Sequence, residues 1–166
     1  MLPGPRALFR WFAVAVASSV VACGGDHPAE PVPADGAAAT TGKPTVVFET
    51  AKGDVPVVVD IARTPTQKEQ GLMWVEHLAE GRGMIFLMGA ERPLTFWMKN
   101  TYIPLDMIFL DAKRVVVGVV HNAEPLTLSP RRVDRPSSYV VEVPGGFAAK
   151  RGIDGGVKAR FEELVE

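Results

Sequence analysis

From residue 45 onward, apolar positions come in short runs separated by turn formers, and the runs have the length and period of strands. Residues 45–49 carry Val46, Val47 and Phe48, and Gly53–Asp54 reads as a turn. Val55, Val57, Val59 and Ile61 then alternate with Pro56, Val58 and Asp60, which predicts a strand with one strongly apolar face. Pro56 cannot donate to a ladder, so it places this strand at an edge or its own start there. Thr64, Pro65 and Gln67 spell a helix start, with a capping threonine, proline at the first helical position and glutamine closing a capping box. This helix is predicted to be short and to end near Gly71, whose missing side chain suits a left-handed terminus. Leu72, Met73 and Trp74 follow as an apolar anchor, and residues 78–83 as a loop.

Residues 84–88 (Met-Ile-Phe-Leu-Met) form an unbroken apolar run of strand length, expected to be buried on both faces. After a turn at 89–93, residues 94–98 read as a returning strand and 107–110 as another. Residues 111–114 form a tight polar connection to a valine-rich run over 115–121, the clearest hairpin signal in the chain. Residues 122–138 carry Pro125, Pro130 and Pro136 and predict an irregular excursion. A strand over 139–143, a helical turn over 147–151 stopped by Gly152, and a last strand over 157–161 complete the pattern. The sum is a mainly β domain: a compact β-sandwich or partly open barrel of about seven or eight short strands with one or two short helices.

The pattern before residue 45 is different. Arg6 and Arg10 precede an apolar stretch, residues 11–21, that is too short to span a bilayer comfortably and reads as the core of a secretory leader. It ends in Val-Val-Ala-Cys-Gly, with Cys23 the only cysteine in the chain. That string resembles a bacterial lipobox, which implies cleavage before Cys23 and acylation of it. The expected division is a lipoprotein signal peptide over 1–22, a lipidated cysteine with a disordered tether over 23–44, and a folded domain over 45–166. The tether is rich in Pro, Gly and Ala without apolar periodicity. No aspartate follows Cys23, which in enteric-type lipoproteins leans toward the outer membrane, facing the periplasm, over the inner membrane. The chain is expected to be exported and held to the cell envelope through its acyl chains.

Composition narrows the partners. The formal net charge of the 166-residue chain is -1, and loss of Arg6 and Arg10 with the leader takes 18 basic side chains to 16 against 19 acidic ones, near -3. No basic stripe exists to neutralise phosphates, so nucleic acid is not an expected partner. One cysteine excludes an internal disulfide framework and a cysteine-cluster zinc site. No metal or cofactor is predicted, and His27, His77 and His121 are isolated in sequence.

Several strings resemble one family. Gln70-Gly71-Leu72-Met73, Gly83-Met84-Ile85-Phe86, Phe96-Trp97-Met98-Lys99-Asn100-Thr101 and Ile103-Pro104-Leu105-Asp106-Met107 are similar to those of the DUF192 proteins of bacteria and archaea. The likeness runs from about Val55 to Phe161. It implies a compact, mostly β, often exported domain and carries no established chemistry. Members often have an arginine two positions after the Gly-Leu-Met string, where this chain has Val75.

The candidate chemistry centres on Lys99, Asn100, Thr101 and Asp106, polar residues between runs that want burial, with Arg63 as a further cation. One reading makes them a pocket, Lys99 drawing a small polar or anionic ligand or an envelope glycan and Asn100 and Thr101 orienting it. The other makes them a packed turn before Pro104, with Asn100 and Thr101 bonding backbone and Asp106 paired to Lys99 or Arg63. An enzyme would use Lys99 with Asp106 for proton transfer, or Asp106 with Glu142 as paired carboxylates. No nucleophile elbow, zincin motif or phosphate loop supports catalysis, so a binding or accessory module is favoured over an enzyme. Met73, Met84, Met88, Met98 and Met107 suggest Cu(I) handling only weakly, because each sits among apolar neighbours as core filler would. Trp74, Phe86, Trp97 and Tyr102 form either core or a sugar-stacking platform, and core is the commoner fate of aromatics in strands.

Overall fold

The computed structural model describes residues 42–164. The expected leader, Cys23 and nearly all of the expected tether lie outside them. The described chain is mainly β: seven strands in one mixed sheet that curls into a half-barrel, with two short helices. The elements are β1 (Thr45–Thr50), β2 (Gly53–Ala62), α1 (Pro65–Gln70), β3 (Arg82–Arg92), β4 (Leu105–Leu110), β5 (Val116–Ala123), β6 (Ser137–Pro144), α2 (Phe147–Arg151) and β7 (Lys158–Glu162). Across the sheet they run β5-β4-β6-β3-β2-β1-β7. Every pair is antiparallel except β2 with β3, which α1 and its following loop connect. The edge strands approach each other at one end: Val116 N–H donates to the Val157 carbonyl at 2.8 Å and Ala159 N–H to that of Arg114 at 2.8 Å. This contact draws the two edges of the sheet together. Of the two architectures expected, the partly open barrel is the one present.

Period-2 alternation divides the core in two. Val57, Ile85, Ile108, Val141 and Val143 face the inside of the half-barrel, where Phe147 and Ala148 of α2 close it. Phe86, Met107, Phe109 and Val140 face the other way and are covered by loops that contribute Leu72, Leu94 and Met98. β3, β4 and β6 are therefore apolar on both faces along their central parts, as continuous runs such as Met-Ile-Phe-Leu-Met predict.

The short helix follows its sequence signature. Thr64 Oγ1 accepts from Gln67 N–H at 3.2 Å, and Gln67 Oε1 accepts from Thr64 N–H at 3.0 Å. Gly71 ends it at φ 47°, ψ -132°, outside the left-handed helical well that the sequence suggested and in a region open essentially to glycine. Gly152 does end α2 in the left-handed well. Pro56 lies on β2, which is interior to the sheet, yet its edge character is local. Val59 N–H points to β1 by bonding the Pro44 carbonyl, so alternation turns the nitrogen of Pro56 to the other side. There β3 begins only opposite Val58.

One predicted strand is absent. Residues 94–98 make only a bridge, Phe96 with Arg131, whose amides exchange bonds of 2.8 Å. The segment is instead a loop whose apolar side chains at Leu94, Phe96 and Met98 pack in the second core.

Candidate functional site

The loop over 94–104 is stitched to two others. Trp74 N–H donates to the Asn100 carbonyl at 2.8 Å, Met98 N–H to that of Thr127 at 3.0 Å, and Leu126 N–H to that of Thr101 at 3.1 Å. Trp74, Asn100 and Leu126 all adopt positive φ, at 68°, 55° and 59°. Such conformations cost about 1–3 kcal/mol each for residues with side chains. Here they turn two large apolar side chains outward: Trp74 is 57% exposed and Leu126 61%. Trp97 (46%), Tyr102 and Leu128 are exposed beside them, and Tyr102 meets Trp74 edge-on with ring centres 5.9 Å apart. The aromatics are thus divided. Phe86 and Phe96 stack edge to face beneath the loops, while Trp74, Trp97 and Tyr102, for which core was the commoner expectation, lie at the surface.

Between these loops and α1 lies a cleft of about 480 Å³. Phe86, Met88, Phe96 and Leu72 supply apolar wall, Trp97 and Leu128 stand at its mouth, and Lys68, Glu69, Lys99 and Glu142 are its ionisable side chains. Lys99 Nζ sits 5.4 Å from the centre of the Trp97 ring. Gly71 keeps the cleft open: a Cβ there would stand 3.1 Å from Phe86 Cζ and 3.9 Å from Glu142 Oε2.

Glu142 is the group that sequence reasoning placed least well. It lies on β6, directly between Met84 of β3 and Met107 of β4, on the face that carries Val140. It is 4% exposed, and among the described residues it has no hydrogen bond or ion pair. Burial alone pushes its carboxyl up to about 8, so it is mostly protonated at neutral pH. The signal in the sequence is a single acid in the apolar period of a strand, Tyr-Val-Val-Glu-Val, and it becomes meaningful only when both neighbouring strands prove to be apolar.

The residues expected to form the site part company. Lys99 and Thr101 line the cleft. Thr101 Oγ1 bonds the Lys99 carbonyl at 3.3 Å, the turn-holding role of the plainer reading. Asn100 sets the turn with its backbone, its amide only 3.8 Å from Met73 Sδ. Arg63 is exposed beyond α1 and is not part of the cleft wall. Asp106 is a correction. It is fully buried, away from the cleft, and neither Lys99 nor Arg63 is its partner. Its carboxyl group accepts three backbone N–H bonds: Asn122 at 2.7 Å, Gly146 at 3.0 Å and Ala148 at 2.8 Å. Pro104 joins this clasp by accepting from Gly145 at 2.9 Å. Gly145 lies close against this clasp: a Cβ there would stand 2.5 Å from Asn122 Oδ1 and 3.0 Å from Pro104 Cβ. The Ile-Pro-Leu-Asp string and the distant Pro-Gly-Gly string are one structural unit. With three backbone amides on its carboxyl group, Asp106 is bound into the backbone, and it points to the opposite face of the sheet from Glu142, so the two do not form a carboxylate pair. Met98 and Met107 are likewise fully buried in the second core, as filler residues would be. Among the described residues no three His, Cys, Asp or Glu side chains are grouped to hold a metal.

The DUF192 family, described as an uncharacterised ACR, matches residues 47–161. The chain belongs to this family. Two solved structures are similar across most of their length. One, from Sinorhizobium meliloti 1021 and provisionally described as a transcription regulator, shares 35% identity at a TM-score of 0.70, covering 74% of this chain and 95% of that one. Another, a protein of unknown function from Novosphingobium aromaticivorans DSM 12444, shares 37% identity at a TM-score of 0.68, covering 70% of this chain and 83% of that one. A comparison with curated proteins gives no match. In this DUF192 member Val75 is half-buried against the second core.

Proposed function

We propose that the chain is a lipid-anchored binding module of the bacterial cell envelope, and that the cleft between α1 and the Phe-Trp-Met-Lys-Asn-Thr loop is its ligand site. Glu142 carries this reading. A buried carboxyl with no partner costs stability unless something is gained from it, and burying it on a cleft wall leaves its hydrogen-bonding capacity for a ligand. The cleft also has the size and largely apolar lining usual for small-molecule sites. An open, partly polar mouth with an exposed tryptophan suits a small polar or anionic molecule or a glycan fragment. The direct test is a thermal-shift screen of envelope-type metabolites and sugar fragments, repeated with Thr95→Trp, a bulky side chain at an exposed position of the cleft lining. Ligands of the cleft raise Tm in the parent chain and not in the variant. A ligand set unaffected by Thr95→Trp would sink the assignment.

The anchor is tested separately. An alkyne-tagged fatty acid fed to cells is expected to label the parent chain and leave Cys23→Ala unlabelled. Equal labelling of both would remove lipidation at Cys23 from the proposal.

A second reading rests on the same residue. A carboxyl that titrates near neutrality inside an apolar cleft has the property a general acid or base needs. If the module is an enzyme, its proton-transfer group is Glu142 in place of Asp106, and Glu142→Gln abolishes turnover while leaving the fold intact.

A further inference from the structure

The charges of the cleft are arranged by depth. Glu142 is deep, 4% exposed, and flanked in its own sheet by the side chains of Met84 and Met107. Lys99 and Glu69 are exposed, and Lys68 is half-buried on α1. Among the described residues neither lysine makes an ion pair; Lys99 has the Trp97 ring as its neighbour. The mouth therefore carries two ammonium groups against one carboxylate. The deep group, held protonated by burial, presents one O–H donor and one carbonyl acceptor. Phe86, Met88 and Phe96 line the wall. A ligand that satisfies every part has three regions in a fixed order.

We infer that the cleft takes an amphipathic anion: an acidic group at the mouth beside Lys68 and Lys99, an apolar body against Phe86, Phe96 and Met88, and an uncharged hydroxyl or amide at Glu142. This rests on the cleft being a ligand site at all. A cationic ligand is disfavoured because it would meet two ammonium groups before it reached Glu142. A purely apolar acid is disfavoured because it would cover the Glu142 carboxyl and leave it without a partner.

Four probes that share a phenylethyl body separate these statements: 3-(4-hydroxyphenyl)propionate, 3-phenylpropionate, 4-ethylphenol and 4-hydroxyphenethylamine. Each is titrated into the full chain by calorimetry at pH 6.5 and low salt. The hydroxy acid is expected to bind about tenfold more tightly than 3-phenylpropionate, the worth of one buried hydrogen bond. It is expected to exceed 4-ethylphenol by about fivefold, a margin that salt reduces, and the amine is the weakest. Glu142→Met, a residue that matches its two flanking methionines, erases the preference for the hydroxyl. Lys68→Ala with Lys99→Ala, both near the surface, erases the preference for the acid.

Equal binding of the two acids overturns the deep contact. A tie or win for 4-ethylphenol or the amine overturns the anionic mouth while leaving the cleft as a site. Failure of all four probes, with melting curves showing a folded chain, removes the cleft itself as a ligand site and this inference with it.

Discussion

Asp106 and Glu142 are both buried acids on neighbouring central strands, and their surroundings give them opposite roles. Asp106 is surrounded by backbone donors from two later segments, so its carboxyl group ties β4 to the end of β5 and to the start of α2. Asp106→Ala leaves three amides without their acceptor and is expected to cost at least ~3 kcal/mol, a fall in Tm of roughly 10 °C or more. Asp106→Asn falls between, because its amide nitrogen must face one of the donors. Equal melting of Asp106→Ala and the parent would show that the clasp holds nothing. Glu142 has the reverse signature. An acid whose folded pKa of about 8 lies above its unfolded value of 4.5 holds its proton more tightly when folded. Its contribution is neutral below the unfolded pKa, and the folded state loses stability as pH rises from there through 8, by ~3 kcal/mol at pH 7. Glu142→Gln removes this linkage. Melting curves from pH 4.5 to 9 should show the variant level with the parent at the acid end and several degrees higher above pH 7. A parent curve as flat as the variant's would contradict a protonated Glu142.

At the scale of elements, the loops over the second core matter more than the strands in setting the cleft. Each strand is fixed by period-2 burial, whereas residues 94–104 are held by single bonds to residues 74, 126, 127 and 145 and by a two-bond bridge to residue 131. Leu126 and Leu128 separate strain from exposure in this region. Both are highly exposed, at 61% and 66%, yet only Leu126 has positive φ. Leu126→Gly is expected to hold or raise stability by ~0.5–1 kcal/mol, because glycine adopts that φ without strain. Leu128→Gly has no strain to relieve and is expected to lower stability through added unfolded-state entropy. Chemical denaturation of the two variants decides it; the same sign for both would remove the argument from strain. The segment also explains why its alternation misled. Leu94, Phe96 and Met98 do share one buried side, as in a strand, but sheet pairing there is limited to the Phe96 bridge.

At the scale of the molecule, the half-barrel puts its most covered strands in the middle. β4 is buried along its whole length and β6 along most of it, while the cleft loops sit over the second core with their turns in solvent. Amide exchange should therefore be slowest in β3, β4 and β6 and fastest at residues 74–81 and 122–132, measured by mass spectrometry. Slow exchange throughout the cleft loops would mean a site closed to exchange with ligand. Much of this architecture was legible in the amino-acid pattern. The alternation in β2, the unbroken runs of β3 and β4, the β4–β5 hairpin and the capping box of α1 are local signals, each decided within about ten residues. The family likeness rested on strings that were equally local. The site was only half legible, through Lys99 and Thr101. What makes Asp106 a clasp is its meeting with residues 16, 40 and 42 positions later in the chain. What makes Glu142 the deep group of a cleft is the sheet order, which sets it between Met84 and Met107. The sequence by itself determined the elements, because propensity and period act between near neighbours. Only the tertiary structure decided which acid is spent on the backbone and which lies in a cleft without a side-chain or backbone partner, because burial and hydrogen-bond partners come from segments far apart along the chain.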